Sequence, residues 1–401
     1  MSLDFQQVRS QVQELGKNAP AREQALQALR LKARQHLQDY STSHADLRDK
    51  VELVTRQHDP NLRCALPADA TTSRLEALDG SFALPELPQM ATILAADGSQ
   101  ITPDRHAEIL YGVINVGAIQ MRLGSPEPPQ TFVESRLLYD DTLHTPSGGA
   151  LSEAALALQR DLRERRMLVE LARQAQPPVI TFTDGPMELW GAKDADDAVE
   201  FQKSLAEYLK VLEELHNLQV ITAGYVDKPS ASLVVRLLEV AVTPQNELPR
   251  IKDKHPLLGV TDLDLYYGLL APGERSAVFA IQSKSAENYQ GPLALHFFYL
   301  NVGRLGASQL ARVELPGWVA ADLAKLDSLH AALVSQCRLM GSRPYPYLLH
   351  RAHETAVVTQ DDKAQVTQMI VLELRSRGID VSGISNKQSA KNLPARTRYS
   401  P

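Results

Sequence analysis

The sequence predicts an α/β fold, a mixed β-sheet flanked by helices, with an N-terminal helical extension. Three observations predict it. In residues 3–57 apolar positions recur at helical spacing, beyond about residue 90 short β-branched apolar runs alternate with longer helical ones, and the order of those runs speaks for a mixed sheet.

In the first stretch Leu3, Val8, Val12 and Leu15, then Leu26, Leu29 and Leu37, then Leu47, Val51 and Val54 recur at helical period. Their stripes are narrow, which suits a helical hairpin or a coiled-coil arm, packed on its own domain or used for dimerisation. Pro60, Pro67, Pro85 and Pro88 interrupt any periodicity, so 58–89 is expected to be a linker. From residue 90 to 380, strands are expected near 92–96, 109–119, 130–139, 179–184, 218–225, 277–283, 294–301 and 308–315. Helices are expected near 151–175, 197–216, 230–241, 319–339 and 363–378. The tail, 381–401, is basic: it holds Lys387, Lys391, Arg396 and Arg398 and no acidic residue.

Composition bounds the function. An apolar share of 44% and a charged share of 22% over 401 residues are those of a globular chain with a sizeable core. Two distant cysteines, Cys64 and Cys337, offer neither a disulfide framework nor a zinc ribbon, and a cytoplasmic location is expected. The charged N-terminus does not read as a signal peptide, no run of about 18 apolar residues appears, and no membrane segment is expected. The formal net charge of −6 argues against a basic coat for long nucleic acids, and suits a centre built of carboxylates with a partner delivering the substrate. Walker A, G-x-G-x-x-G and G-x-S-x-G signatures are absent, which removes the evident ATPase, dinucleotide-enzyme and serine-hydrolase readings.

Two apolar strands end alike. Thr92-Ile93-Leu94-Ala95-Ala96 runs into Asp97-Gly98, and Val179-Ile180-Thr181-Phe182-Thr183 runs into Asp184-Gly185. One Asp-Gly pair is usually a turn, but two at buried-type strand ends place both carboxylates on one rim if the strands are neighbours. Between them Glu134 flanks apolar residues in a strand-like segment, where a Glu is ordinarily solvent-facing or paired with an Arg. Pro344-Tyr345-Pro346 is a fixed turn leading to His350 and His353, whose order with Glu354 fits no zinc-protease motif. Asp262-Leu263-Asp264 reads as a turn or a helix cap.

Ala96-Asp97-Gly98-Ser99-Gln100, Glu134, Thr183-Asp184-Gly185, Ala223-Gly224-Tyr225-Val226-Asp227-Lys228 and Tyr345-Pro346 to Ala352-His353-Glu354 together resemble the NurA nuclease family, in order and spacing, over roughly 90–380. The resemblance implies a ribonuclease H-like core and a manganese-dependent 5′ to 3′ exonuclease that also cuts single-stranded DNA internally. It implies a homodimer working with the hexameric ATPase HerA in DNA end processing. By the same resemblance Asp97, Glu134, Asp184 and His353 are the metal ligands and Tyr345 an essential site residue, with Lys228 a candidate phosphate contact. Three carboxylates suit two hard divalent ions, and an imidazole favours Mn²⁺ over Mg²⁺. The same residue set would also serve an enzyme cutting RNA or an RNA–DNA hybrid, and the amphipathic N-terminus would serve a non-catalytic scaffold of a DNA-processing complex.

Overall fold

The computed structural model describes residues 4–68, 75–104, 107, 109–144, 151–189 and 195–379. Its helices are α1 (Phe5–Asp39), α2 (His44–Gln57), α3 (Glu153–Ala172), α4 (Ala195–Asn217), α5 (Leu233–Val242), α6 (Asp262–Tyr266), α7 (Gly317–Ala320), α8 (Leu323–Leu339), α9 (Tyr347–Ala356) and α10 (Gln360–Ser376). Its strands are β1 (Cys64–Pro67), β2 (Ser81–Phe82), β3 (Ala91–Ile101), β4 (Gly112–Leu123), β5 (Gln130–Leu138), β6 (Val179–Asp184), β7 (Ile221–Val226), β8 (Arg275–Ser276), β9 (Phe279–Gln282), β10 (Leu295–Asn301) and β11 (Leu310–Pro316). The expected basic tail lies outside the described residues.

Two compact units result. The first takes the chain up to Pro88, with Gly185–Glu188 and Thr222–Pro346. Its strands run β1-β9-β10-β11-β7, each pair antiparallel. The segment expected as a linker contributes β1 and β2 to this unit: Cys64–Pro67 pairs with Phe279–Gln282, and Ser81–Phe82 pairs with β8. Pro67 ends β1, so its missing N–H falls where the ladder stops.

Helix α1 begins at Asp4, whose carboxylate accepts the N–H groups of Gln6 and Gln7. Its Ala, Gln, Leu and Arg content favours helix, yet it has no buried residue before Ala33. Phe5, Val8, Val12 and Leu15 are exposed. Farther along, Arg34 donates to the carbonyls of Asp264 and Tyr267, which ties the C-terminal half of α1 to α6.

Asp262 and Asp264 are caps. Asp262 is fully buried and accepts the N–H of Val234 and of Val235 and the hydroxyl of Tyr299, closing the first turn of α5 from the start of α6. Asp264 forms a capping box with Thr261 at the start of α6. The two cysteines are also interior: Cys64 and Cys337 are buried, and burial pushes each thiol up to about 12.

The second unit takes Gln89–Asp184, Leu189–Ile221 and the chain from Tyr347 on. Strands β3, β4 and β5 form an antiparallel meander, and β6 lies parallel to β3 on its other side, giving the order β6-β3-β4-β5. This mixed sheet, with its fourth strand reached through α3, is the ribonuclease H-like arrangement. Helices cover both faces. A side chain at Gly98 would meet Arg160 and Glu164 of α3, and one at Gly117 would meet the backbone of Thr355 and Ala356 in α9. Gly98 and Gly117 belong to adjacent rows of the β3–β4 pair, and successive rows face opposite ways. α3 therefore packs on one face and α9 on the other.

One expectation changes here. Asp97-Gly98 is not a turn, because β3 continues to Ile101 and β4 pairs with it along that whole length. Asp184 does end its strand, and Gly185 follows with φ +81°, a conformation that glycine adopts without strain.

Candidate active site

The second unit gathers the acidic residues around Asp97. Ala96 is aligned with Thr183 in the parallel β3–β6 pair, so one step further Asp97 lies beside Asp184, side chains on the same face. Asp97 is mostly covered, with 18% of its side chain exposed, whereas Asp184 is exposed at the strand end. His353 reaches Asp97 from α9: its Nδ1 stands 2.7 Å from Asp97 Oδ2, and 65% of the imidazole is exposed.

Sheet chemistry fixes the position of α9. The carbonyl of Ala356, in the last turn of the helix, accepts from Ser99 Oγ and, at 2.7 Å, from Asn115 Nδ2. Ser135 Oγ donates to Asn115 Oδ1 at 2.6 Å. Ser99, Asn115 and Ser135 form one row across β3, β4 and β5, on the face that carries Asp97. Gly117, opposite Asp97, supplies the gap through which the helix approaches.

Glu134 is not brought to this face. Its row is Gly98–Val116–Glu134, one step out of phase with Asp97–Gly117–Val133, so its side chain projects toward α3. There it pairs with Arg163. The ordinary fate of a strand glutamate, partnership with an arginine, holds for Glu134, although the partner comes from a helix.

Glu164 of α3 lies on the same side as Glu134, across the sheet from the side chain of Asp97. A Cβ at Gly98 would lie 2.7 Å from Glu164 Oε1, so the glutamate sits directly against the residue after Asp97. It is 5% exposed. Burial pushes its carboxyl up to about 8; Arg165 opposes the rise, Asp161 and Asp97 add to it, and Arg160 opposes it. Sequence reasoning passed over Glu164 because it lies in a charge-rich run, Arg163-Glu164-Arg165-Arg166, that reads as a solvated helix face. The available signal was its place in a buried stripe with Leu168 and Ala172 at four-residue steps.

Tyr345 and Lys228 belong to the first unit. Tyr345 is half-buried and meets the ring of Tyr225 edge-on, centroids 5.5 Å apart. Lys228 is exposed, just beyond β7, with φ +46°.

A mixed sheet with helices on both faces and carboxylates at neighbouring strands defines a protein of the ribonuclease H-like class. The NurA domain model matches residues 91–358, two thirds of the sequence, and the chain belongs to the NurA family. No match is found among curated proteins. Among solved structures, the NurA nuclease from Sulfolobus solfataricus is similar at 10% identity and a TM-score of 0.49, over 74% of this chain and 88% of that one. The catalytic domain of human Endonuclease V is similar at 14% identity and a TM-score of 0.31, over 81% and 98%. Drosophila Piwi follows at 13% identity and a TM-score of 0.31, over 68% and 30%.

Proposed function

We propose that this chain is a divalent-metal-dependent DNA nuclease. The observation that carries the reading is the group Asp97, Asp184 and His353 on one face of the sheet: two aligned strand carboxylates and an imidazole bonded to the first. Family membership supports the reaction class.

The donor chemistry fits a hard divalent cation, Mn²⁺ or Mg²⁺, with room in the ligand count for two ions. Two carboxylates and one imidazole on one face of the sheet are the donors. Among the described residues no three His, Cys, Asp or Glu side chains yet converge as a ready cage. Asp97, Asp184 and His353 would hold the metal, without Glu134, which faces α3. Bound there, a divalent ion would lower the pKa of an attacking water and neutralise the departing oxygen of the phosphodiester.

The chain's own residues then have distinct tasks. Asp97 stands between both helical layers and takes its orientation from His353 Nδ1. His353 keeps Nε2 for a water, a phosphate oxygen or a metal. Tyr345 and Lys228 are carried over from the family pattern as a substrate-contacting ring and a phosphate contact. The 5′ to 3′ exonuclease polarity, single-strand endonuclease action, homodimer and HerA-like hexameric ATPase partner in DNA end processing are carried over likewise.

The test is digestion of a 5′-labelled single-stranded DNA with Mn²⁺, with Mg²⁺ and with EDTA, beside a matched RNA strand. DNA cutting with Mn²⁺ that is lost in EDTA and falls at least about 100-fold in Asp97→Ala and Asp184→Asn is expected. Glu134→Gln is expected to retain cutting. Preference for RNA would shift the substrate class, and no cutting with a HerA-type ATPase added would leave the scaffold reading.

A further inference from the structure

Strand β5 is the outermost strand of the second unit's sheet: β4 pairs with one side of it, and among the described residues no strand lies beyond the other. Edge strands are ordinarily protected by proline, lysine, a bulge or a cover, because their free N–H and C=O groups invite another chain. β5 has no proline and no lysine, and its register with β4 runs unbroken from Gln130 to Leu138. Two apolar side chains stand open on the face that carries Ser135: Val133 is 57% exposed and Leu137 42%. On the α3 face Glu134 pairs with Arg163, while Arg136 is exposed and has no side-chain partner among the described residues.

The strand is chemically self-complementary about Ser135. Laid antiparallel against a second copy with Ser135 opposite Ser135, it sets Glu134 opposite Arg136 of the second copy, and Arg136 opposite Glu134. Val133 then meets Leu137, and Phe132 meets Leu138. Residues opposed in an antiparallel pair share a face, so both charge pairs fall on the α3 side and the Val–Leu pairs on the α9 side. Moving the axis by one residue in either direction sets Glu134 against Glu134 or Arg136 against Arg136, with like charges directly opposed.

We propose that β5 is a homodimer interface: two copies of this chain join edge to edge through antiparallel β5 strands, with Ser135 on the two-fold axis. The four-strand order β6-β3-β4-β5 then continues from one copy into the other. The proposal rests on the homodimer carried over above, to which it assigns a surface, and needs neither the metal nor the cutting reaction. An isologous contact requires a patch complementary to itself, and an unrelated partner would place no such demand on the sequence. In the dimer Arg136 gains the carboxylate it lacks, and Glu134 is shared between Arg163 and the incoming guanidinium.

The experiment uses the full chain, with dimer dissociation followed by sedimentation velocity over a concentration series. Glu134→Arg sets Arg against Arg and Arg136→Glu sets Glu against Glu, twice each by symmetry, and each is expected to weaken the dimer about tenfold or more. The double variant, Glu134→Arg with Arg136→Glu, restores unlike pairs and should regain most of the affinity. It still lacks the bond from Glu134 to Arg163, so a role for these residues within one chain alone would leave it the weakest. Ser135→Cys should link two copies under mild oxidation. Val133→Cys should not, because the two positions 133 lie four residues out of line, about 14 Å, beyond disulfide reach. A dimer indifferent to both charge reversals, and linked no better through 135 than through 133, overturns the proposal and leaves a homodimer built on another surface. A chain that is monomeric at every concentration overturns the interface and the homodimer together, and leaves the nuclease reading to the digestion assay. If a charge variant melts lower than wild type, cross-linking at 135 against 133 decides.

Discussion

At the scale of single residues, the carboxylates of this chain are distinguished by what surrounds them. Asp262 makes the case with no metal in question. It is fully buried, and burial pushes it up to about 6, against the Tyr299 hydroxyl and the backbone N–H of Val235, Val234 and Leu233. A carboxyl raised in the fold contributes stability that is fully present below the ordinary aspartate value and is lost as pH rises through about 6. Asp262→Asn removes that dependence and loses an acceptor at the start of α5, so it should be less stable at pH 4 by about 1–3 kcal/mol, with the gap narrowing toward pH 7.5. Urea unfolding of both proteins across that range measures it; a constant gap would mean the donors satisfy the ionised group. Asp97 and Asp184 were legible in sequence because each follows an apolar strand of the right length. The face taken by Glu134 was not. Which face a strand residue presents depends on a register set by hairpin geometry, and a one-residue step reverses it.

At the scale of elements, the central feature is the clamp on the carboxyl end of α9. Ser99 and Asn115 satisfy the carbonyl of Ala356, with Ser135 fixing the Asn115 amide, so three strands hold one turn of helix. Asn115→Ala leaves that carbonyl with one protein donor and strands the Ser135 hydroxyl. A cost of about 1–3 kcal/mol in stability is expected. Metal-dependent cutting should fall further, by about tenfold, because His353 is carried three residues before the clamped carbonyl and misplacement is costly at a reacting centre. Comparing kcat with the unfolding midpoint below the melting range separates the effects. Most long helices and strands of the second unit were legible from periodicity. α9 was not placed as a helix because it is short and follows two prolines, and β1 and β2 were hidden because a four-residue or two-residue strand carries too little period to count.

At the scale of the molecule, neither unit is a continuous piece of chain. The first is assembled from three segments, one of which is only Gly185–Glu188, between parts of the second. The stretch from 90 to 380, expected as one domain, is shared between the two units, and the returns of the chain from one to the other leave no composition signal. The exposed beginning of α1 has a simpler consequence. Removing residues up to Glu23 deletes no buried side chain among those described and leaves Arg34 and its bonds in place. Such a shortened chain is expected to melt within about 2 °C of the full one. Scanning calorimetry checks this, and a larger fall would show that the apolar stripe Phe5, Val8, Val12 and Leu15 is covered in solution.

The burial of both thiols gives the chain a practical property. With Cys64 and Cys337 enclosed and each held near 12, neither offers a thiolate to an alkylating reagent at neutral pH. A single cysteine placed on the outer stripe of α1, as in Val12→Cys, would be the one reactive sulfur in the folded protein. Fluorophores or spin labels could then report on that helix without any native cysteine being replaced.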